Sequence, residues 1–262
     1  MLPLVRVYAQ TRLGHPTSNH CCRTNKCHRT VKSACRPRAG IGNTQYWLSK
    51  KSTDWIYEFT QDLLSASTTA MVYSISWGAA EEEDCSGASC DSSSLSYINA
   101  CEQNLAAIAL LGITIVVSSG DGGALGTVPS GAWATSCSSS SALSPMYPAS
   151  SAYVLSVGAT QLQSQSILSG SSTPFCGGAQ CAAGSGTEVV CSYGRGALIT
   201  SGGGFSKFVT QPSWQSSRVS SYLSSGALLP SVSFNTAGRA YPDVAAMGHN
   251  LIVTVNGTAS VS

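Results

Sequence analysis

A run of β-branched residues leads directly into a glycine-rich turn at Ile113-Thr114-Ile115-Val116-Val117-Ser118-Ser119-Gly120-Asp121-Gly122-Gly123. The apolar run is typical of a buried strand. The glycines after it lack a Cβ, so the chain can turn closely around a single carboxylate, Asp121. On this pattern alone the segment has two interpretations, an ordinary Gly-Asp turn or a strand end that holds a carboxylate for a ligand.

Helix and strand patterns alternate around this segment. Helices are predicted over residues 54–64, capped by Ser52 or Thr53, and over residues 93–111. Further strands are predicted over residues 71–76 and 153–157. The predicted inward side chains are Trp55, Ile56, Phe59, Leu63 and Leu64 in the first helix and Leu95, Ile98, Leu105 and Ile108 in the second. This order of elements forms right-handed crossovers, which predicts an α/β domain with a parallel sheet.

The charges are distributed very unevenly along the chain. Ten of the fourteen Lys and Arg residues lie at or before Lys51, and all twelve acidic residues follow it. Four basic residues against twelve acidic ones give residues 52–262 a formal charge of −8. An acidic surface repels nucleic acid, so we expect no nucleic-acid partner. The same charge suits either an acidic compartment or ordinary solubility.

Residues 1–38 differ from the rest of the sequence. They contain no acidic residue, no strand or helix period, and no apolar run long enough for a signal peptide or a membrane span. An arginine-rich transit peptide and a metal site around His20, Cys21 and His28 are two interpretations, and neither fits its usual pattern. We favour a third, a segment foreign to the domain such as a misread exon boundary, which gives a domain of residues 39–262.

The eleven cysteines fall into two groups. Four lie in the basic segment, and seven lie after it, at Cys85, Cys90, Cys101, Cys137, Cys176, Cys181 and Cys191. The second group has no Cys-x-x-Cys pair and no nearby His, which favours disulfides over zinc. Seven is odd, so one thiol is free or its partner lies elsewhere. The sequon at Asn256 permits glycosylation in a secretory protein.

Several further segments occur in a fixed order around the Asp121 turn. They are Ser74-Ile75-Ser76-Trp77-Gly78, Ser118-Ser119-Gly120-Asp121-Gly122, Tyr147-Pro148-Ala149-Ser150-Ser151, Ser201-Gly202-Gly203-Gly204-Phe205-Ser206, Pro212-Ser213-Trp214-Gln215 and Gly238-Arg239-Ala240-Tyr241-Pro242-Asp243-Val244. Together they resemble the sedolisin family of serine-carboxyl peptidases, in particular its tripeptidyl-peptidase I branch. The resemblance runs from about Ala39 to the end.

The resemblance implies both a fold and a chemistry. The fold is a subtilisin-like, doubly wound, mostly parallel sheet with helices on both faces, incomplete at both ends in this sequence. The chemistry is peptide-bond hydrolysis at acidic pH by a Ser-Glu-Asp triad, with Asp121 as a protonated donor in the oxyanion hole. Five residues would border the peptide substrate: Ser76, Trp77, Gly78, Ser119 and Gly120. Gly122 replaces the family's usual Ser, a change that we expect to loosen the turn.

The triad itself does not match. Aligned on the family, the Glu and Asp positions fall near His28 and Lys32, which cannot do this chemistry. Glu58 and Asp62 are also four residues apart on a predicted helix, and so share one face. That helix corresponds to a noncatalytic one in the family, so an exposed acidic face is the preferred interpretation.

The serine motif does not match either. Gly257-Thr258-Ala259-Ser260 is similar to the family's G-T-S-A-S, but the nucleophile would fall on Ala259. Residues 251–255 are typical of a strand, with Asn256-Gly257 as a hairpin turn, and the true motif is expected beyond Ser262. The family's carboxyl-terminal calcium site would then be absent from this chain, and we predict no metal site.

We therefore expect a secreted or lysosomal/vacuolar serine-type peptidase whose substrates are peptides or proteins, inactive as these 262 residues alone. A noncatalytic peptide-binding pseudoenzyme is the alternative. A disulfide-rich structural module ranks last, because it leaves the six ordered motifs unexplained. The sequence does not determine the oligomeric state or the peptide preference.

Overall fold

The structure, a computed structural model, describes eleven segments of the chain. They are residues 6–10, 31–32, 44–48, 54–67, 69–82, 94–126, 143–163, 187–227, 233–249, 252–255 and 258–261. Only the backbone pairing is described for residues 6–10, 31–32, 44–48, 252–255 and 258–261, apart from the side chain of Trp47.

Three α-helices and fourteen strands lie within these segments. The helices are α1 (Trp55–Ser65), α2 (Ser94–Leu110) and α3 (Ser216–Ser224). The strands are β1 (Arg6–Gln10), β2 (Val31–Lys32), β3 (Thr44–Leu48), β4 (Val72–Ile75), β5 (Ala79–Ala80), β6 (Thr114–Ser118), β7 (Met146–Tyr147), β8 (Leu155–Leu162), β9 (Glu188–Val190), β10 (Gly204–Thr210), β11 (Gly238–Tyr241), β12 (Val244–Met247), β13 (Ile252–Val255) and β14 (Thr258–Val261).

A central sheet has the strand order β12-β8-β6-β4-β1-β3-β2, and β9 pairs with β8. The four strands from β12 to β4 are parallel to one another, and β1, β2, β3 and β9 pair antiparallel with their neighbours. The mostly parallel sheet confirms the predicted α/β fold class. Because β4, β6 and β8 run in one direction, their carboxyl ends meet at one edge, where ligands of such sheets bind.

The core lies between this sheet and the pair α1 and α2. Alternate residues of β4 and β6 point into it, as expected for strands with a period of two. The helices contribute Ile56, Phe59, Ile98 and Ile108, which are almost fully buried. Phe59 contacts the rings of Trp47 and Tyr73 edge-on, at centroid distances of 5.3 and 5.7 Å.

Both predicted helices form within one residue of their predicted bounds. Helix α1 begins after Asp54, whose side chain makes no capping hydrogen bond; the proposed caps Ser52 and Thr53 lie outside the described residues. In α2 the prediction for Leu95 was wrong, because its side chain is 44% exposed. In that first turn Tyr97 points inward instead, and its hydroxyl accepts a hydrogen bond from the amide of Tyr57.

The amino-terminal segment contributes two strands. Although its sequence shows no strand period, β1 lies between β3 and β4, and Val7 and Tyr8 are residue types that favour extended chain. The division of the chain at residue 38 stays a prediction. At the other end β13 and β14 form an antiparallel pair in which Val255 is opposite Thr258, which fits the predicted two-residue hairpin.

Candidate active site

The turn after β6 is held by backbone hydrogen bonds from both sides. The amide of Ser119 donates to the carbonyl of Val157 in β8 at 2.9 Å. A second segment, Thr200–Gly202, lies against the turn: the amides of Thr200 and Gly202 donate to the carbonyls of Asp121 and Gly120, both at 2.8 Å. The main chain around Asp121 is therefore fixed.

Glycines are required at two positions of this contact. Gly120 has φ of +104°, in the left-handed region that side chains rarely adopt. A Cβ on Gly202 would lie 2.1 Å from the carbonyl oxygen of Ser119. The two backbones can approach this closely only because Gly202 carries no side chain.

Gly122 does not loosen the turn, contrary to our expectation. A Cβ at this position would lie 1.9 Å from the carbonyl oxygen of Gly126, and the next amide, of Gly123, donates to Thr200 at 2.9 Å. The glycine lets the chain fold back on itself here. A serine at this position therefore requires a different path for residues 122–126.

The carboxyl group of Asp121 lies at the surface of the turn. The residue is exposed, yet enough protein surrounds its carboxyl group that loss of hydration raises the pKa. Within the described segments no hydrogen-bond donor reaches it. The buried Cys191 thiol is near enough to be affected: burial raises its pKa, and the charge of Asp121 raises it further.

The second predicted segment, Ser76-Trp77-Gly78, follows β4 at the same edge of the sheet. Ile75 is paired with Val117 in parallel register, so Ser76 emerges beside Ser118. Trp77 is 41% exposed. Gly78 packs so closely on β7 that a Cβ would lie 2.7 Å from the carbonyl oxygen of Tyr147. The structure thus brings Ser76, Trp77 and Gly78 to the same edge as Ser119, Gly120 and Asp121, while their roles stay predictions.

Sequence reasoning missed a set of buried charged residues around the turn at residues 147–152. Glu81 is fully buried and accepts hydrogen bonds from the hydroxyls of Ser150 and Ser206. From the other side, Glu102 accepts bonds from the Tyr147 hydroxyl and the Ala152 amide, at 3.0 and 3.1 Å. Burial raises the pKa of both glutamates.

Arg239 completes this set. It is fully buried, donates to the carbonyls of Ser151 and Val154, and forms an ion pair with Asp243 at 2.7 Å. Its guanidinium also lies 5.6 Å from the ring of Trp214. The spacing of Arg239 and Asp243 was no signal for this pair, because a separation of four residues brings side chains together on a helix and Arg239 lies on strand β11.

A cavity of about 460 Å³ lies beside the Thr200–Gly202 segment. It has mainly small and apolar walls, with the carboxylate of Glu188 among its lining groups. The lining residues are Ala159, Thr160, Glu188, Val189, Val190, Ser201, Gly202, Pro242 and Ala245.

Glu58 and Asp62, the alternative acidic pair, both lie on α1. The carboxylate of Asp62 accepts a hydrogen bond from the indole of Trp47 at 2.9 Å, and Glu58 is half-buried one turn earlier on α1.

Among the positions aligned with the family's triad, Lys32 lies on β2, opposite Gln45, and His28 is outside the described residues. Ala259 and Ser260 lie on β14, opposite Thr254 and Val253.

The described residues contain neither a cluster of metal ligands nor a membrane-spanning helix. No group of three or more His, Cys, Asp or Glu side chains there is arranged to hold a metal ion. In the same part of the chain, no helix combines the length and the apolar character needed to cross a bilayer. Five of the seven cysteines considered for disulfides lie outside the described residues, namely Cys85, Cys90, Cys137, Cys176 and Cys181. Of the other two, Cys101 is buried in α2 and Cys191 is a buried free thiol.

Comparison with known proteins identifies the family. The sequence model of the subtilase family matches residues 38–262. The chain belongs to the subtilase family. The described parallel sheet, with site residues at the carboxyl ends of β4 and β6, agrees with that assignment.

The relatives of this subtilase are sedolisins, which confirms the resemblance found in the sequence. Physarolisin from Physarum polycephalum is 37% identical over 222 residues, which cover 82% of this chain and 37% of physarolisin. Tripeptidyl-peptidase 1 from Bos taurus is 34% identical over 247 residues, 87% of this chain and 37% of that protein. The chain thus spans 37% of the length of these curated relatives.

A solved structure is also similar. Pseudomonas sedolisin, a serine-carboxyl proteinase complexed with two molecules of pseudo-iodotyrostatin, aligns with 24% identity and a TM-score of 0.46. The alignment covers 75% of this chain and 42% of that one.

Proposed function

We propose that this subtilase supplies the oxyanion-hole part and one substrate-binding wall of a serine-type peptidase that cleaves peptides or proteins at acidic pH. One observation carries the proposal: the Asp121 carboxyl lies at the carboxyl end of β6 with a raised pKa, on a backbone fixed by Thr200–Gly202.

The raised pKa of Asp121 suits a hydrogen-bond donor. A carboxyl group donates only when it is protonated, and loss of hydration extends the protonated form to higher pH. In acyl transfer, negative charge develops on the carbonyl oxygen of the scissile bond, and a fixed donor stabilises that charge. Because no described donor occupies the carboxyl of Asp121, the group is available to a ligand.

The segment Ser76-Trp77-Gly78 supports the substrate half of the proposal. It continues the chain beyond the end of β4, and exposed backbone at the end of a strand can bind peptides by adding a strand. The cavity beside Ser201 and Gly202 offers room for an apolar side chain of such a peptide. We infer that Ser119 and Gly120 border the same peptide.

We further infer that the 262 residues alone bind peptides without cleaving them. Aligned on the family, the Glu and Asp positions fall near His28 and Lys32, and the serine of the G-T-S-A-S motif is expected beyond Ser262. The relatives of this chain are longer proteins. For a protein of that length containing these residues, we propose a secretory or lysosomal/vacuolar location, where the pH suits a protonated Asp121.

The second candidate function is a noncatalytic peptide-binding pseudoenzyme, which the same substitutions favour. The transcript on either side of these codons distinguishes the two. An upstream Glu-x-x-x-Asp helix and a downstream Gly-Thr-Ser-Ala-Ser motif support the peptidase, and stable protein from a message without them supports the binder.

The direct test uses the purified chain and a fluorescent, unblocked hexapeptide at about pH 4 and about pH 7. We expect binding without cleavage, about fivefold tighter at the lower pH because Asp121 is then a donor. Asp121→Asn, whose amide donates at both pH values, should remove most of this dependence, and Glu82→Gln serves as the control. Absence of binding contradicts the peptide site, and tripeptide release inhibited by a peptide aldehyde contradicts the inferred inactivity.

A further inference from the structure

Glu81 accepts hydrogen bonds from two segments that are distant from it in the sequence. Its Oε1 accepts the hydroxyl protons of Ser150 at 2.6 Å and Ser206 at 2.5 Å, and its Oε2 accepts the amide of Lys207 at 2.8 Å. Glu81, Ser150 and Ser206 all have no exposed surface. Hydrogen bonds to a buried carboxyl are among the stronger ones in proteins, because no water competes for the donors.

One side of this contact leads to the Ser76-Trp77-Gly78 segment. Glu81 directly follows β5, which pairs with β7 over two residues only, and its own amide extends the pairing to the carbonyl of Pro145 at 2.9 Å. Gly78 packs against Tyr147 of the same strand. A pairing this short is weak by itself, so the position of Gly78 depends on what anchors β5 and β7.

The other side leads to the Asp121 turn. Ser206 lies on β10, which begins at Gly204, two residues after Gly202. The amide of Gly202 in turn donates to the carbonyl of Gly120. The Ser206 hydroxyl makes all the hydrogen bonds it can form. It donates one to Glu81 and accepts one each from the amides of Phe208 and Val209, at 3.2 and 2.8 Å.

We propose that Glu81 is a positioning residue that sets the distance between the two walls of the peptide site, one carrying Gly78 and the other carrying Gly202 and the Asp121 turn. This inference rests on the proposed peptide-binding function. Glu81 itself touches no substrate. It acts through β5 on one side and through Ser206 and β10 on the other.

Among the residues that the structure describes, no positively charged side chain pairs with the carboxyl of Glu81. The neighbouring Glu82 forms an ion pair with the side chain of Lys207, of which only the amide reaches Glu81. The Tyr241 hydroxyl lies near enough for the charge of Glu81 to add to the rise in the tyrosine's pKa, and that hydroxyl accepts the amide of Met146 in β7 at 2.8 Å. Burial and Glu82 both raise the pKa of Glu81, so we expect the neutral form under acidic conditions.

The test compares peptide affinity at about pH 4 among four folded proteins: wild type, Glu81→Ala, Ser206→Ala and the control Glu82→Ala. We expect affinity to fall about tenfold in Glu81→Ala and about threefold in Ser206→Ala, and to stay within about twofold in Glu82→Ala. Glu81→Gln resembles the neutral acid and should restore wild-type affinity at this pH. At about pH 7, where a carboxyl group is more ionised than at pH 4, it should bind about threefold more weakly than wild type.

Amide hydrogen exchange separates this inference from the proposed function. In Ser206→Ala, which should fold even if Glu81→Ala does not, we expect the amides of Gly78 and Ala79 on the opposite wall to exchange about fivefold faster. If wild type binds no peptide, the proposed function fails, but the exchange result still tests whether Glu81 connects the two walls. Two results would overturn the role of Glu81. One is exchange of Gly78 and Ala79 in Ser206→Ala at the wild-type rate. The other is unchanged peptide affinity in Glu81→Ala and Ser206→Ala when only their thermal stability falls.

Discussion

Glu81 and Asp121 are two carboxyl groups at the same end of the molecule with opposite surroundings. Burial raises the pKa of both, but Glu81 is enclosed and accepts three hydrogen bonds, whereas Asp121 is exposed and accepts none from the described residues. The comparison teaches that a raised pKa does not by itself mark a reacting group. The hydrogen bonds already formed decide whether the carboxyl is free to act on a ligand.

The largest expected difference is in stability. Glu81→Ala leaves the hydroxyls of Ser150 and Ser206 and the amide of Lys207 without their acceptor, so the free energy of unfolding should fall by about 3 kcal/mol. Asp121→Ala, which removes no described hydrogen bond, should change it by less than about 0.5 kcal/mol. Urea unfolding of both variants measures the difference, and equal losses would show that Asp121 is also structural.

The second prediction concerns the backbone next to Asp121. Gly122→Ser restores the usual residue of the sedolisins, but its Cβ would collide with the carbonyl of Gly126. We expect a loss of about 2 kcal/mol in unfolding free energy, as residues 122–126 move to relieve the contact. Gly194→Ser is a control, because the space around that glycine is open apart from the Ser192 hydroxyl, 3.7 Å from a Cβ. A neutral effect of Gly122→Ser would mean that the turn adapts easily.

A third difference lies in the pH dependence of stability. Folding raises the pKa of Glu81 and Glu102 above the ordinary value of 4.5, so the folded protein holds these protons more tightly than the unfolded chain. Their contribution is fully present below about pH 4.5 and is lost as the pH rises through the folded pKa values. We expect the wild-type melting temperature to fall by roughly 5 °C between about pH 5 and pH 7.

Two variants sharpen that result. Glu81→Gln and Glu102→Gln carry no titrating group at these positions, so each should flatten the pH dependence, while Glu82→Gln at the exposed neighbour should not. A melting temperature that instead rises between the same pH values would show that the ionised glutamates are the stable forms.

The smallest expected effect tests the closeness of Asp121 and Cys191. The negative charge of Asp121 helps to raise the pKa of the buried thiol, so Asp121→Asn should increase its thiolate fraction. We expect alkylation of Cys191, followed by peptide mass spectrometry at about pH 8, to become about twofold faster. The other cysteines in the same sample serve as internal controls, and an unchanged rate at Cys191 would mean that the two groups do not interact.

The sequence predicted the Asp121 side of this comparison well and the Glu81 side not at all. A β-branched run followed by glycines is a local pattern, so the strand β6, its turn and the parallel pairing with β4 could be inferred from neighbouring residues. Glu81 lies in the run Glu81-Glu82-Glu83-Asp84, which has the composition of a solvated loop. Its partners Ser150 and Ser206 are 69 and 125 residues away, and no local signal connects them.

Smaller errors have the same origin. Helical spacing placed Leu95 on the buried face of α2, but the ends of a helix are covered only if a neighbour reaches them, and here Tyr97 packs inward instead. Likewise, β1 gains its partners from β3 and β4, and so depends on pairing between distant segments.

The close contact between Gly202 and Ser119 has a consequence for how this protein tolerates change. Ser201-Gly202-Gly203-Gly204 has the composition of a flexible linker, the kind of stretch in which engineers place insertions and tags. In a saturation library, position 202 should accept no other amino acid, as strictly as a position in the apolar core. Genetic drift along this stretch is therefore limited by the space between two backbones.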